Sequence, residues 1–412
     1  MNIQELTKKI QAGLEALHPF TATPGNGTTR LPFTKETRDA AEHLKRYMAE
    51  AGLTAHEDQA GNIIGVLEGA DPSLPALVMG SHYDSVVNGG NFDGQAGVVA
   101  AVEVARMLKA GSVAMKRNFV AIAFMDEEGM RFSAGYFGST SWMGHMSQEE
   151  LHSYKDKDGI SVYEAMKAYG LPPEDLPKAA WDMKKVRAFI ELHVEQGPVL
   201  DAEKIEIGLV DCIVGMQRYM VTVFGRADHA GTTPMDMRMD AVEAASKVFS
   251  KIPDWARGKK DGTVATTGLV HVVPGGINIV PEEVTFSIDI RSRNQKNLQD
   301  ITDAIKKELD KATAANGTTW KMEEKLLVPP ADLSPKMLDI MEKSCKDRGY
   351  SCRRMVSGAG HDALAIAPYV ETVMIFTPSK NGRSHCPVEW TEYADVAKAT
   401  TVVYDLVLEM LQ

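Results

Sequence analysis

Asn118-Phe119-Val120-Ala121-Ile122-Ala123-Phe124-Met125 runs straight into Asp126-Glu127-Glu128-Gly129. The apolar stretch predicts a buried strand, and three consecutive acids at the tip of such a strand are costly near a core without cations. Two further runs have the same form. Ala76 to Ser81 ends at His82, and Val186 to Leu192 ends at His193. Around them, Asn62 to Leu67 predicts another strand. Gln95 to Leu108 is apolar at helical spacing, as are Ile3, Leu6, Ile10, Leu14 and Leu17, and the style continues from Ala40 to Met48. Strands alternating with helices predict an α/β fold with helices on both faces of the sheet. Ligands of such sheets collect beyond the carboxyl ends of the strands, where His82, Asp126 to Glu128 and His193 fall.

The middle of the chain has another order. Tyr219 to Phe224, Val264 to Val272, Val284 to Ile290 and Trp320 to Leu327 predict strands, with helices at Asp240 to Ser250 and Leu298 to Ala314. This β-α-β-β-α-β series is a ferredoxin-like α+β pattern, the size of a small inserted domain, with Pro329-Pro330 at its exit. From Ser334 the chain returns to α/β and closes with an amphipathic helix, Tyr393 to Leu411.

The 412 residues suit two domains. With 45 Lys+Arg against 56 Asp+Glu, the net charge of −11 argues against nucleic acid as a partner. No uninterrupted apolar window predicts a membrane span, and the first residues show no signal peptide. Cys212, Cys345, Cys352 and Cys386 form no CxxC pair, so reduced thiols and a cytoplasmic location are expected.

Five side chains make an N/O ligand set: His82, Asp93, Glu128, His193 and His385. Each has an ordinary alternative, namely a strand end, a helix N-cap, a solvated acidic turn, a core histidine and a loop histidine. Together they suit two first-row divalent ions sharing a bridging carboxylate. Zinc is the default, with manganese, cobalt or nickel as substitutes. Asp84 lies two residues from His82 on the same strand face, where a carboxylate can orient a ligand histidine.

Gly80-Ser81-His82-Tyr83-Asp84-Ser85, Gly89-Gly90-Asn91-Phe92-Asp93-Gly94, Asp126-Glu127-Glu128-Gly129-Met130-Arg131-Phe132 and His193-Val194-Glu195-Gln196-Gly197-Pro198 resemble the M20 metallo-amidohydrolases. The likeness is to their hydantoinase/carbamoylase branch of N-carbamoyl-L-amino acid hydrolases, allantoate amidohydrolases and β-ureidopropionases. Arg226-Ala227-Asp228-His229-Ala230-Gly231-Thr232-Thr233-Pro234-Met235 and Gly275-Gly276-Ile277-Asn278-Ile279-Val280-Pro281 match the same branch, and His193 marks it, since related peptidases and acylases carry a carboxylate there.

The resemblance implies a catalytic two-metal domain over 1–212 and 330–412, with a mixed central sheet and flanking helices. It implies an inserted lid and dimerisation domain over 213–329. His82, Asp93 and His193 would hold one ion and Asp93, Glu128 and His385 the other. Glu127 would be the general base, Asp84 would orient His82, and His229 would stabilise the oxyanion. Gln196, His229, Asn278, Arg291 and Gly360 would contact the substrate, some of them across a homodimer. Gln217 is a further candidate, as a polar side chain suited to the second ureido arm of allantoate. Arg291 shares a strand face with Asp289 and Arg293, so a surface ion pair is its alternative. The expected activity is metal-dependent hydrolysis of a linear ureido C–N bond, releasing ammonia and carbon dioxide. Competing readings are an M20 aminoacylase or peptidase and a catalytically silent binder. A serine hydrolase is disfavoured by the missing GxSxG elbow.

Overall fold

A computed structural model describes residues 1–412. The chain divides into two compact units, Met1–Asp211 with Asp332–Gln412, and Cys212–Ala331. Its strands, in chain order, are β1 (Thr54–Glu57), β2 (Ile63–Leu67), β3 (Ala76–His82), β4 (Phe119–Phe124), β5 (Val186–Val194), β6 (Ile207–Ile213), β7 (Gly215–Phe224), β8 (Asp228–His229), β9 (Val264–Thr266), β10 (Val270–Val273), β11 (Ile279–Val280), β12 (Glu283–Ser292), β13 (Thr319–Val328), β14 (Ala331–Asp332), β15 (Cys352–Ser357) and β16 (Thr372–Thr377).

The first unit is a mixed α/β fold. Its sheet runs β1-β2-β4-β3-β5-β16-β6-β14, with β15 paired to β6. The centre is parallel: β3 pairs parallel with β4 and β5, and β5 with β16. Antiparallel β2 and β6 flank it. β3, β4 and β16 are buried at every position. Strands covered on both faces read as continuous apolar runs rather than as alternation, which is why they stand out in the sequence. Helix Gln95–Ala110 packs on β3, β4 and β5, and Tyr393–Met410 packs on β16. The parallel centre brings the carboxyl ends of β3, β4, β5 and β16 to one edge. His82 lies level with Phe124, and His193 with Phe376.

One buried cation pins the tip of β3. Arg30 is fully buried, and its guanidinium donates to the carbonyls of Leu17 (2.7 Å), Phe20 (2.9 Å) and Tyr83 (2.9 Å). Burial lowers its pKa to about 10. Arg30→Ala strands three carbonyls in a dry site, each costing roughly 1–3 kcal/mol. We expect denaturant unfolding of the first unit to lose about 3 kcal/mol or more. Arg30→Lys should recover less than half, since one ammonium cannot reach three divergent carbonyls. A wild-type unfolding midpoint for Arg30→Ala would refute this account.

The second unit is built on a sheet ordered β10-β12-β7-β13, with β9 also on β12. β7 and β12 alternate between inward apolar and outward polar positions. Tyr219, Val221, Val223, Val284, Phe286, Ile288 and Ile290 form a core with Leu298, Ile301, Ile305 and Leu309 of helix Gln295–Asn316. The single strand expected over Val264 to Val272 is two strands. The Ser287 hydroxyl accepts from the N–H groups of Gly268 (3.2 Å) and Leu269 (3.0 Å), which breaks the ladder between β9 and β10. No helix is long and apolar enough to cross a membrane, and all four cysteines are free thiols.

Candidate active site

Each strand end delivers one part of the site. His82 is the last residue of β3, and His193 the penultimate residue of β5. Asp93 follows the glycine-rich loop and precedes helix Gln95–Ala110. It does not act as that helix's N-cap: the cap is Gly94, without a side-chain bond, so the Asp93 carboxylate is left for other partners. Gly94 has φ +67°, and a Cβ there would sit 2.5 Å from the His82 ring. Asp126, Gln196 and His385 adopt φ of 58°, 57° and 54°. Non-glycine residues in this left-handed region cost on the order of 1 kcal/mol each and cluster at functional sites.

Asp93 is the hub. Its Oδ1 lies 3.3 Å from His82 Nε2 and 3.1 Å from His193 Nε2. Its Oδ2 lies 3.0 Å from His385 Nε2, which is itself 3.3 Å from Glu128 Oε1. Ligand atoms of His82, Asp93 and His193 lie within 4.8 Å of one another, as do those of Asp93, Glu128 and His385. The three imidazoles hold the buried Asp93 carboxyl well below the usual carboxylate range, against the opposing effect of burial. Burial, reinforced by Asp93, lifts Glu128 to about 7.

The donor set fits small divalent ions. A tetrahedral ion with bonds of roughly 2.0–2.1 Å spaces its ligand atoms about 3.3 Å apart, close to the separations around Asp93. Asp93 Oδ1 is buried and accepts no hydrogen bond. The histidine tautomers agree as well. His193 Nδ1 lies 2.9 Å from the Val194 carbonyl, and His82 Nδ1 lies 3.3 Å from the Asp84 carbonyl and 3.4 Å from Asp84 Oδ1. A proton on Nδ1 satisfies these acceptors and leaves the Nε2 lone pair facing Asp93.

Asp84 does more than face His82. Its carboxylate accepts from the backbone N–H of Glu127 (3.0 Å) and of Glu128 (3.3 Å), tying the acidic loop to the tip of β3. Glu127 is buried, with Oε2 4.0 Å from His82 Nε2. Burial, together with Glu128 and Asp362, pushes its pKa well above the usual value, against the pull of His82. Gln196 donates from Nε2 to Asp93 Oδ2 (2.8 Å) and lies 3.0 Å from His385 Nε2. Gly360 sits in the partly exposed loop after β15, where the Ser357 hydroxyl accepts from Ala359 N–H (3.2 Å) and lies 2.9 Å from His361 Nε2.

In the second unit, His229 on β8 pairs with Ile279 on β11, and Ala230 N–H donates to the Asn278 carbonyl (3.0 Å), so exposed His229 and Asn278 are neighbours. His229 Nδ1 accepts from Gly231 N–H (3.0 Å), which places a neutral ring's proton on Nε2. Arg291 is ion-paired on its strand face: its Nε donates to Asp289 Oδ1 (3.0 Å), and Arg218 donates to the same carboxylate (2.8 Å).

Gln217 requires a correction. It is 1% exposed, and its Oε1 accepts from Thr302 of helix Gln295–Asn316 (2.7 Å). It shares the inward face of β7 with Tyr219, Val221 and Val223. The side chain is therefore turned into the core of the second unit.

Several polar groups near the site escaped the sequence. Glu191 is fully buried one turn of the pleat before His193, accepting from the Ser81 hydroxyl (2.7 Å) and Ala363 N–H (2.8 Å). His361 packs 4.5 Å from the His193 ring. An acid inside the apolar run Ala188 to Leu192 was the available signal for Glu191, whereas nothing local marks His361.

The chain matches peptidase family M20/M25/M40 over residues 78–409. It is 43% identical over 396 residues, 96% of either chain, to an N-carbamoyl-L-amino-acid amidohydrolase of Paenarthrobacter aurescens. It is 36% identical over 402 residues, again 96% of either chain, to the allantoate amidohydrolase of Escherichia coli (strain K12). The crystal structure of an amidase of the hydantoinase/carbamoylase family from Burkholderia multivorans superposes with a TM-score of 0.89 at 30% identity, covering 98% of this chain and 97% of that one. With the match spanning most of its length, and with the ligand-type residues gathered at the strand ends, the chain belongs to the M20 family of metallo-amidohydrolases, in the hydantoinase/carbamoylase branch.

Proposed function

We propose that this chain is a hydrolase of carbon–nitrogen bonds in linear amides, cleaving the ureido bond of N-carbamoyl-L-amino acids. The observation that carries the mechanism is Asp93 placed between three imidazoles, with the buried carboxyl of Glu127 4.0 Å from one of them. Two divalent ions, zinc by default, would be held by His82, Asp93 and His193, and by Asp93, Glu128 and His385. When bound, they supply Lewis acidity and lower the pKa of water. Glu127 takes the proton of the attacking water and passes it to the leaving nitrogen. Its carboxyl is buried beside the metal-ligand candidates, 4.0 Å from His82 Nε2, a position that suits it to both transfers. Asp84 holds the Glu127 backbone in place.

The inserted unit serves as lid and dimerisation surface in this proposal, with the homodimer completing the site. His229, donating from Nε2, stabilises charge developing on the attacked oxygen. Asn278, Gln196 and Gly360 line the substrate, and Arg291 binds its carboxylate in competition with Asp289. Arg291→Ala should then raise KM at least about ten-fold with kcat changed little, since a charged bond is lost in ground and transition state alike. Arg291→Lys should not restore it. An unchanged KM would assign Arg291 to its ion pair with Asp289 alone.

Gln217 is engaged by Thr302 in the core of the second unit, and identity is higher to the N-carbamoyl-L-amino-acid relative than to the allantoate one. Ammonia release should therefore be fastest from N-carbamoyl-L-amino acids in a panel with allantoate and β-ureidopropionate, using enzyme supplied with zinc or manganese. Hydrolysis confined to N-acetyl amino acids or dipeptides in the same panel would replace this function with an aminoacylase or peptidase.

A further inference from the structure

Glu389 lies in the loop between β16 and the last helix, and it is 4% exposed. Its Oε1 accepts from the backbone N–H of Phe92 (3.1 Å) and of Asp93 (3.0 Å). Its Oε2 accepts from the Ser384 hydroxyl (2.6 Å), and the Ser384 Oγ lies 3.3 Å from Asp93 Oδ2. One carboxylate thus joins the loop that carries Asp93 to the loop that carries His385, two segments nearly three hundred residues apart. Gly90 has the matching feature: a Cβ there would lie 2.1 Å from Glu389 Oε1. A buried acid beside Asp93 adds negative charge to a site already rich in it, and its hydrogen bonds from both loops offset that cost.

We propose that Glu389 is a positioning residue that clamps the Asp93 loop to the His385 loop and so assembles the ligand set Asp93, Glu128 and His385. The ligand set of His82, Asp93 and His193 depends on it less, because β3 and β5 hold both histidines in the sheet. This inference rests on the two-ion reading above, and its test separates the two.

The test uses full-length protein with Glu389→Gln, Glu389→Ala and Gly90→Ala, the last displacing the Glu389 side chain from outside. Hydrogen exchange, with and without chelator, should speed up at both 90–95 and 383–387 in all three variants, while 78–84 and 188–194 keep wild-type rates. Faster exchange at 383–387 alone would overturn the clamp. Calorimetric titration with Mn²⁺ should show one of two wild-type sites losing affinity by about ten-fold or more, as for other residues supporting metal ligands. The other site should stay within a few-fold. Equal losses at both sites, or none, would overturn the proposed selectivity. If wild-type protein binds fewer than two Mn²⁺ ions, the two-ion reading fails, and the exchange pattern still decides the clamp.

Discussion

Glu127→Gln is expected to lower kcat by about a thousand-fold, within the range for losing a positioned general base, while metal content per chain stays at the wild-type value. Glutamine keeps the side chain's size and the backbone N–H that Asp84 accepts, but it cannot take a proton from water. In the metal-free chain burial raises the Glu127 pKa, so a neutral amide should leave the Tm of metal-free protein equal or higher. The metal measurement matters because His82, Glu127 and Glu128 also lie close enough to share an ion. Lost metal together with lost turnover would make Glu127 a ligand instead of a base. Near-normal turnover would remove it from the reaction.

Asp93→Ala should be the most damaging single change to metal binding. Asp93 alone belongs to both ligand sets built from the strand ends and the His385 loop, so its removal should abolish uptake of both ions. His385→Ala and Glu128→Ala should each cost one. Activity of Asp93→Ala should fall to background. Added metal stabilises wild-type protein by about 2.7 kcal/mol for each ion at a hundred times its Kd, and this gain should vanish in the variant. Atomic absorption on dialysed protein, paired with thermal melts at graded zinc, reads both effects. An Asp93→Ala protein that still holds one ion tightly would refute the shared carboxylate.

The strands at the centre of the first sheet were visible as apolar runs because both their faces are buried. The break between β9 and β10 was not, because it depends on Ser287, a residue of a neighbouring strand. At the site, His82, His193 and the acidic loop were legible for the same reason: a polar residue ending a buried strand stands out. His385 and Asp93 lie in loops, where composition alone is silent, and only the resemblance of the motifs around them points to them as ligands. The burial of Gln217 was not legible because the strand expected from Tyr219 begins at Gly215, and its partner Thr302 lies on a distant helix.

The sequence by itself therefore determined which chemical groups stand at strand ends, since burial of an apolar run and its polar stop are both local properties of the chain. Only the tertiary structure decided which of those groups meet. The parallel order β4-β3-β5-β16 turns four distant strand ends into one edge, and Asp84 and Glu389 then fix the loops through hydrogen bonds between remote segments. Such bonds form only after long loops have closed, and neither the closure nor the direction of a side chain across a sheet is encoded in any short window of residues.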